Sequence, residues 1–225
     1  MITGMNYYSE KLNAQTLFQV YETQIPRVKQ YLQAEIEFVK RNLSKGQRVL
    51  ELGAGYGRIV RELSPFCGSI VGIDISEENV ALGRDYLKDY PNAGMVVMDV
   101  FQMNFPQAFD VILCLQNGLS AMRADSTVIH KVLETLAPGG TAYFSSYSAQ
   151  FWDVRLKWFE EQASKGLLGE IDYGKSRNGV IICKDGFQSS THSPEDFQEI
   201  GKRSGYPYQV REVDESSVFL IIHKK

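Results

Sequence analysis

Between residues 48 and 148, short continuous apolar runs alternate with segments of helical period, and no other feature of the sequence restricts the fold as much. The runs are RVLELG (48–53), SIVGIDIS (69–76), AGMVVMDV (93–100), FDVILCLQN (109–117) and TAYFSSYS (141–148). Continuous apolar runs of this length read as strands covered on both faces, the condition of a parallel sheet. Between them lie a helix over about residues 57–64, stopped before Pro65, and EENVALGRDYLKDY (77–90), capped by Ser76 with Glu77 and Glu78 in its first turn. A further helix, DSTVIHKVLETLA (125–137), spaces Val128, Ile129, Val132, Leu133 and Leu136 on one face and is ended by Pro138-Gly139-Gly140. Strands joined by such helices need right-handed crossovers. The expectation is an α/β, Rossmann-like doubly wound sheet with its ligand outside the carboxyl ends of the strands.

The flanks add to this core. Residues 1–45 read as two helices, roughly 8–21 and 27–43, able to lie across the ligand edge as a lid. Residues 149–193 hold the helix QFWDVRLKWFEEQASKG and then the hairpin EIDYGKSRNGVIICKDGFQSS. Ser193-Pro194-Glu195-Asp196 starts a helix that closes near Gly205. YQVREVDESSVFLIIHK then gives two strands reversing at residues 214–216, so one antiparallel strand is expected near the sheet's edge. The organisation expected is a single domain over residues 1–225: a helical lid (1–45), a cofactor-binding core (46–148), an inserted cap (149–193), and a closing helix with a strand pair (194–225).

Composition sets the partner class. With 225 residues, 44% hydrophobic and 23% charged, the chain suits one globular domain. A formal net charge of −3 gives no general attraction to nucleic acid or to an anionic membrane surface, so neither is expected as a partner and a small molecule is. Cys67, Cys114 and Cys183 are odd in number and far apart, which suggests neither a disulfide framework nor a metal pair; reduced structural thiols and no metal are expected. MITGMNYYSEKLN lacks the basic and apolar segments of a secretory signal, and no apolar stretch reaches bilayer length. A soluble, cytoplasmic protein is the reading.

The ligand is encoded most directly in VLELGAGYGR (49–58). Gly53, Gly55 and Gly57 follow a buried strand, and Asp74 stands at the end of the next strand, where an acid accepts from ribose hydroxyls. A phosphate cradle favours negative ligands, yet Glu51 stands beside this turn and no lysine enters it. Nothing at this level requires Arg58, on the first helical turn, to point inward. A ligand that joins adenosine to an ammonium or a sulfonium fits a glycine turn beside a carboxylate, and S-adenosylmethionine is such a ligand.

These segments resemble the class I S-adenosylmethionine-dependent methyltransferases. VLELGAGYGR is similar to their first motif, IVGIDIS to the second, MVVMDV to the third, FDVILCLQNGLS to the fourth, and LAPGGTAYFSS to the region of their fifth strand. The resemblance implies a seven-stranded sheet in the order 3-2-1-4-5-7-6 with the last strand antiparallel. It implies that Glu51, Gly53, Ala54 and Gly55 surround the methionine portion and that Asp74 takes the ribose hydroxyls. Ile75 would pack on adenine, Asp99 would accept from its amino group with Val100 and Phe101 beside it, and Gln116 would lie near the methyl group. LQNGLS departs from the NPPY-like signature of base-directed enzymes, which argues against methylation of nucleic-acid bases.

Methyl transfer from a sulfonium is an in-line displacement, so alignment of acceptor, methyl and sulfur is the enzyme's main task. No general base is identified by the sequence; Tyr7, Tyr8 and His192 are the first places to look. His130 reads as structural or exposed, and Trp152, Trp158 and Phe159 as packing for the inserted helix. Glu51 has a competing role as a buried carboxylate bound to backbone N–H groups, and Gln116 and Asn117 have one as loop-satisfying amides. The expected activity is methylation of a small metabolite under the lid and cap. The alternatives are a noncatalytic S-adenosylmethionine-binding module and a nicotinamide-dependent (NAD or NADP) oxidoreductase, the latter opposed by GxGxG and Glu51.

Overall fold

The computed structural model describes residues 14–225, and Tyr7 and Tyr8 lie outside them. Helices α1 (Ala14–Tyr21) and α2 (Pro26–Lys40) precede β1 (Arg48–Leu52). The core continues as α3 (Arg58–Leu63), β2 (Ser69–Asp74), α4 (Glu77–Tyr86), β3 (Ala93–Val97) and β4 (Phe109–Cys114). After the short α5 (Gly118–Ala121) come α6 (Ser126–Thr135), β5 (Leu136–Tyr147) and α7 (Trp152–Ser164). The two-residue strands β6 (Ile181–Ile182) and β7 (Gln188–Ser189), then α8 (Pro194–Ser204), β8 (Tyr208–Val213) and β9 (Ser217–His223), complete it.

Seven strands form one sheet in the order β3-β2-β1-β4-β5-β9-β8. β1 to β5 are mutually parallel, and β9 runs antiparallel to both β5 and β8. The expected strand order and the single antiparallel strand are both present. Pleating divides the strands between two cores: Leu50, Ile112, Phe144 and Leu220 face α6 and α8, while Val49, Leu113, Tyr143 and Phe219 face α2, α3 and α4. Both faces are thus covered by helices, which explains the apolar continuity of the strands.

Several boundaries differ from the expectations, each for a local reason. β4 ends at Cys114 and not at residue 117 because Gln116 and Asn117 take left-handed conformations (φ 52° and 65°) that no strand continues through. β5 begins at Leu136, earlier than expected, with Leu136 opposite Phe109 and Thr141 opposite Val111. Pro138-Gly139-Gly140 therefore bulges out of the strand, with Gly139 at φ 77°. The cap hairpin keeps the pairing of β6 with β7 and two single antiparallel bridges, Ile171 with Cys183 and Arg177 with Val180.

The helix starts follow their sequence signals. Ser76 accepts from the Asn79 N–H at the head of α4. Ser193 and Asp196 form a reciprocal capping box on α8, which carries Pro194 in its first turn and ends at Gly205 with φ 73°. A third core joins α1, α2 and the cap: Val20, Val28 and Tyr31 pack with Phe151, Trp158, Phe159, Leu168 and Phe187. That packing holds the N-terminal helices and the cap together over the carboxyl ends of β1, β2 and β4.

Candidate active site

A cavity of about 410 Å³ opens where those strand ends meet the third core. Its floor is the turn after β1. Gly53 and Gly55 sit at φ 64° and 56°, and Gly57 at φ 83° begins α3. A Cβ on Gly55 would stand 2.7 Å from Leu17 Cδ2 on α1, so both the backbone sign and the space demand glycine there. Next to the turn, Asp74 Oδ2 accepts from the Gly55 N–H (2.9 Å), while its Oδ1 accepts from Ser76 N–H (2.9 Å) and Asn79 Nδ2 (3.1 Å). One carboxylate therefore fixes both the glycine turn and the head of α4, and it still borders the cavity.

Glu51, at the end of β1, is 4% exposed. Burial pushes its carboxyl up to about 8, although the Arg58 guanidinium and a hydrogen bond from the Val60 backbone pull it down. Its Oε2 has no hydrogen-bond partner. Arg58 points inward: its guanidinium carbon lies 4.7 Å from the Tyr21 ring centroid, and Nε and Nη2 are buried without partners. A buried acceptor and a buried double donor thus face the same cavity unmatched, which costs free energy unless a ligand completes them.

All ten residues expected around the cofactor line this cavity: Glu51, Gly53, Ala54 and Gly55 at the turn, Asp74 and Ile75 after β2, Asp99, Val100 and Phe101 after β3, and Gln116 after β4. Asp99 caps the turn at Val100–Gln102 through the Phe101 N–H (2.9 Å). Ile75 and Phe101 are 51% and 38% exposed, large apolar surfaces left open at the rim. Gln116 and Asn117 divide their roles. Asn117 does satisfy the loop, donating to the Ser190 carbonyl (2.8 Å) and accepting from Ser146 Oγ (2.7 Å). Gln116 Nε2 is buried and unpartnered beside the cavity.

Two expectations are corrected. His192 is not among the residues lining the cavity. Its ring stacks on Phe197 (5.4 Å between centroids), its Nδ1 lies 2.9 Å from Ser120 Oγ, and its backbone N–H donates to Ser146 Oγ (2.8 Å). It fastens the loop before α8, and burial lowers its pKa. Trp158 and Phe159 pack the cap as expected, but they also form part of the cavity wall.

Sequence reasoning missed Arg58, Tyr21, Gln162 and Glu35. Glu35 lies beneath the site, fully buried, where Oε2 accepts from the Gln116 N–H (2.9 Å) and Ser145 Oγ (2.9 Å) and Oε1 from Ser217 Oγ (2.6 Å). Burial raises its carboxyl to about 7 against those hydrogen bonds. A signal existed: Glu35 interrupts the apolar stripe Val28, Leu32, Ile36, Val39 of α2, as Gln162 does the buried face of α7 with Trp158 and Phe159.

Comparison with known proteins places this geometry. Residues 49–140 match the family profile described as a methyltransferase domain. The matched stretch, from β1 into β5, is similar to a methyltransferase domain, in keeping with the resemblance of its motifs to the class I S-adenosylmethionine-dependent methyltransferases. Over 112 residues the chain is 34% identical to the ubiquinone/menaquinone biosynthesis C-methyltransferase UbiE of Geobacter sulfurreducens, covering 47% of this chain and 43% of that protein. It is 29% identical to nodulation protein S of Sinorhizobium fredii over 114 residues, 49% of this chain and 53% of the relative. The chain thus spans about half the length of those curated relatives. Among solved structures, the DhpI–SAH complex shares the fold with a TM-score of 0.63 at 18% identity, covering 91% of this chain and 89% of the other.

Proposed function

We propose that this protein transfers a methyl group from S-adenosylmethionine to a small-molecule acceptor. The observation that carries the reading is the unmatched pair at the turn, Glu51 Oε2 beside Arg58 Nε and Nη2, facing one cavity with the left-handed glycines. An amino-acid tail bears the complement of both, an ammonium for the carboxylate and a carboxylate for the guanidinium. A dinucleotide's pyrophosphate offers nothing to Glu51, and the oxidoreductase alternative is set aside on that ground.

The chain's residues then have these roles. Glu51 and Arg58 hold the amino-acid tail, and Gly53, Ala54 and Gly55 allow its close approach. Asp74 accepts from the ribose hydroxyls, and its bonds to the Gly55 N–H and Asn79 keep it aimed. Ile75 and Phe101 supply apolar surface for the adenine ring, with Asp99 as acceptor for its amino group. Gln116 stands at the methyl end. S-adenosylmethionine supplies, when bound, a methyl group on a cationic sulfur that becomes neutral on transfer. α1 and the cap exclude water and align the acceptor, which is where oriented reactions gain most, about 7–11 kcal/mol in the best intramolecular cases.

The covering by α1, α2 and the cap supports a small acceptor over a folded macromolecule or a nucleic acid. The described residues contain no helix long and apolar enough to cross a membrane, and three buried free thiols suit a reducing compartment, so we place the protein in the cytoplasm. Calorimetry tests the reading. S-adenosylmethionine and S-adenosylhomocysteine should both bind, with Asp74→Ala weakening each, and absence of binding at millimolar concentration refutes it. Labelled donor incubated with a metabolite extract should yield a labelled small product, which a noncatalytic binding module would not give.

A further inference from the structure

Helix α7 of the cap turns one face to the cavity, and Trp158, Phe159 and Gln162 stand on it within one turn. The polar groups beside Gln162 are already committed. Trp158 donates its Nε1–H to the Val20 carbonyl (3.2 Å), and Lys165, just past the helix end, donates to the Glu22 carbonyl (2.8 Å). Glu161 accepts from the Gln24 N–H (3.0 Å) and from the Thr23 hydroxyl. These bonds tie α7 to α1 and to the connection between α1 and α2, so the backbone that carries Gln162 is held in place. Gln162 itself is 4% exposed, and neither its side-chain oxygen nor its amino group bonds another described residue.

A primary amide offers a donor and an acceptor side by side in one plane. A lone carbonyl or ether on a ligand answers one of these functions and leaves the other unmatched, which weakens binding at a buried site. An edge that carries an N–H next to a C=O answers both through two parallel bonds, much as a glutamine reads the donor and acceptor edge of adenine. Trp158 and Phe159, on the same face of α7, add apolar rings against which a flat molecule packs.

We propose that this wall takes a planar, uncharged ring whose edge presents an N–H adjacent to a C=O, as a cyclic amide does, and that Gln162 reads that edge through two hydrogen bonds. Gln162 is then the specificity residue of the cap. That the molecule so held is the methyl acceptor rests on the methyltransferase reading; recognition of the edge does not.

Quinolin-2-one and coumarin test this, because the two fused rings share shape and carbonyl and differ by an N–H against a ring oxygen. Each is titrated by ligand-observed NMR into protein saturated with S-adenosylhomocysteine. Quinolin-2-one is expected to bind about tenfold or more tightly than coumarin, whose ring oxygen removes the donor and faces the amide oxygen. 1-Methylquinolin-2-one, with its donor blocked, should bind as weakly as coumarin and requires no variant. Gln162→Met, which keeps the side-chain length without either function, should weaken quinolin-2-one by about tenfold and bring it within about threefold of coumarin. S-adenosylhomocysteine binding by that variant reports its folding. Equal affinity of quinolin-2-one and coumarin for the unaltered protein overturns the proposal, as does a preference that survives Gln162→Met, or no binding of either while S-adenosylhomocysteine binds normally. Should S-adenosylhomocysteine itself fail to bind the unaltered protein, the methyltransferase reading falls, and the same ligands titrated into the ligand-free protein still decide whether Gln162 reads the edge.

Discussion

Glu35 Oε2 accepts the Gln116 N–H at 2.9 Å, so a buried carboxyl on α2 holds the residue at which β4 turns into the site. Gln116 sits at φ 52°, a conformation that needs support in a non-glycine residue. The same carboxyl takes Ser145 of β5 and Ser217 of β9, tying three strand ends to one N-terminal helix. α2 is thereby fastened to the cavity edge of the sheet through a single group.

Removing that group takes the acceptor from the Ser145 and Ser217 hydroxyls and leaves the Gln116 N–H only Ser145 Oγ (2.8 Å). Glu35→Ala is expected to destabilise the fold by about 2–4 kcal/mol, against about 1 kcal/mol for Glu35→Gln, which keeps one acceptor oxygen. Urea unfolding at neutral pH checks both. Equal losses for the two variants would show that packing volume, and not hydrogen bonding, is what Glu35 contributes.

Stability should fall as pH rises from about 5 to about 8. Glu35 and Glu51 have folded values of about 7 and about 8, above the ordinary 4.5. The folded chain therefore binds more protons than the unfolded one in that window. The contribution is complete below pH 4.5 and is lost as pH climbs through the folded values, by at most about 1.4 kcal/mol per pH unit for each carboxyl. Glu37, Glu161 and Asp214, whose values are lowered, act only at more acidic pH, whereas His192, lowered from the ordinary 6.5, opposes the fall in the acidic part of this window, and the two carboxyls together outweigh it. Unfolding curves at pH 5.5, 6.5, 7.5 and 8.5 measure the slope, which should flatten in the Glu35→Gln, Glu51→Gln double variant.

Binding of S-adenosylhomocysteine should release a proton near neutral pH. An ammonium beside Glu51 favours its ionised form, so the carboxyl loses the proton it holds below about 8 in the free protein. Affinity then rises between pH 6 and 8. Calorimetry in buffers of different ionisation enthalpy reads the proton directly, and Glu51→Gln should abolish the release.

Arg58→Met should discriminate between ligands by their tails. S-adenosylhomocysteine is expected to lose about tenfold or more in affinity, the cost of a missing charge-assisted pair. 5′-Methylthioadenosine, which lacks the amino-acid tail, should bind within about threefold of its affinity for the unaltered protein, since a charge-assisted pair affects only ligands that form it. Equal losses for both ligands would remove Arg58 from tail recognition.

Gly55→Ala combines two penalties, a left-handed φ of 56° and a Cβ 2.7 Å from Leu17 Cδ2. A destabilisation of about 2–3 kcal/mol is expected, of which the backbone part is about 1–2 kcal/mol. Adding Leu17→Ala should recover only the steric share, as a double-mutant cycle of melting curves will display.

The sequence by itself determined the strands of the sheet and the ring of residues at their ends, while the strand order followed from the resemblance of its motifs to a known family. Both-face burial writes itself as continuous apolar runs, and glycines at positive φ and acids at strand ends are demanded locally, by backbone sterics and by the turns they close. Glu51, Asp74 and Asp99 were legible because each lies within a few residues of the element that positions it. Only the tertiary structure decided which way Arg58 points, since Tyr21, the ring it stacks on, comes from a helix far away in sequence. The same holds for Glu35 and Gln162: a polar residue in a buried helical stripe signals that a partner exists, but the partner is set by packing between α2, β5 and β9, or between the cap and the cavity. His192 marks the converse, a loop histidine whose chemistry drew notice and whose ring packing on Phe197 turned it from the site. Local backbone demands are encoded residue by residue, whereas the matching of a buried polar group is a property of surfaces that meet only on folding.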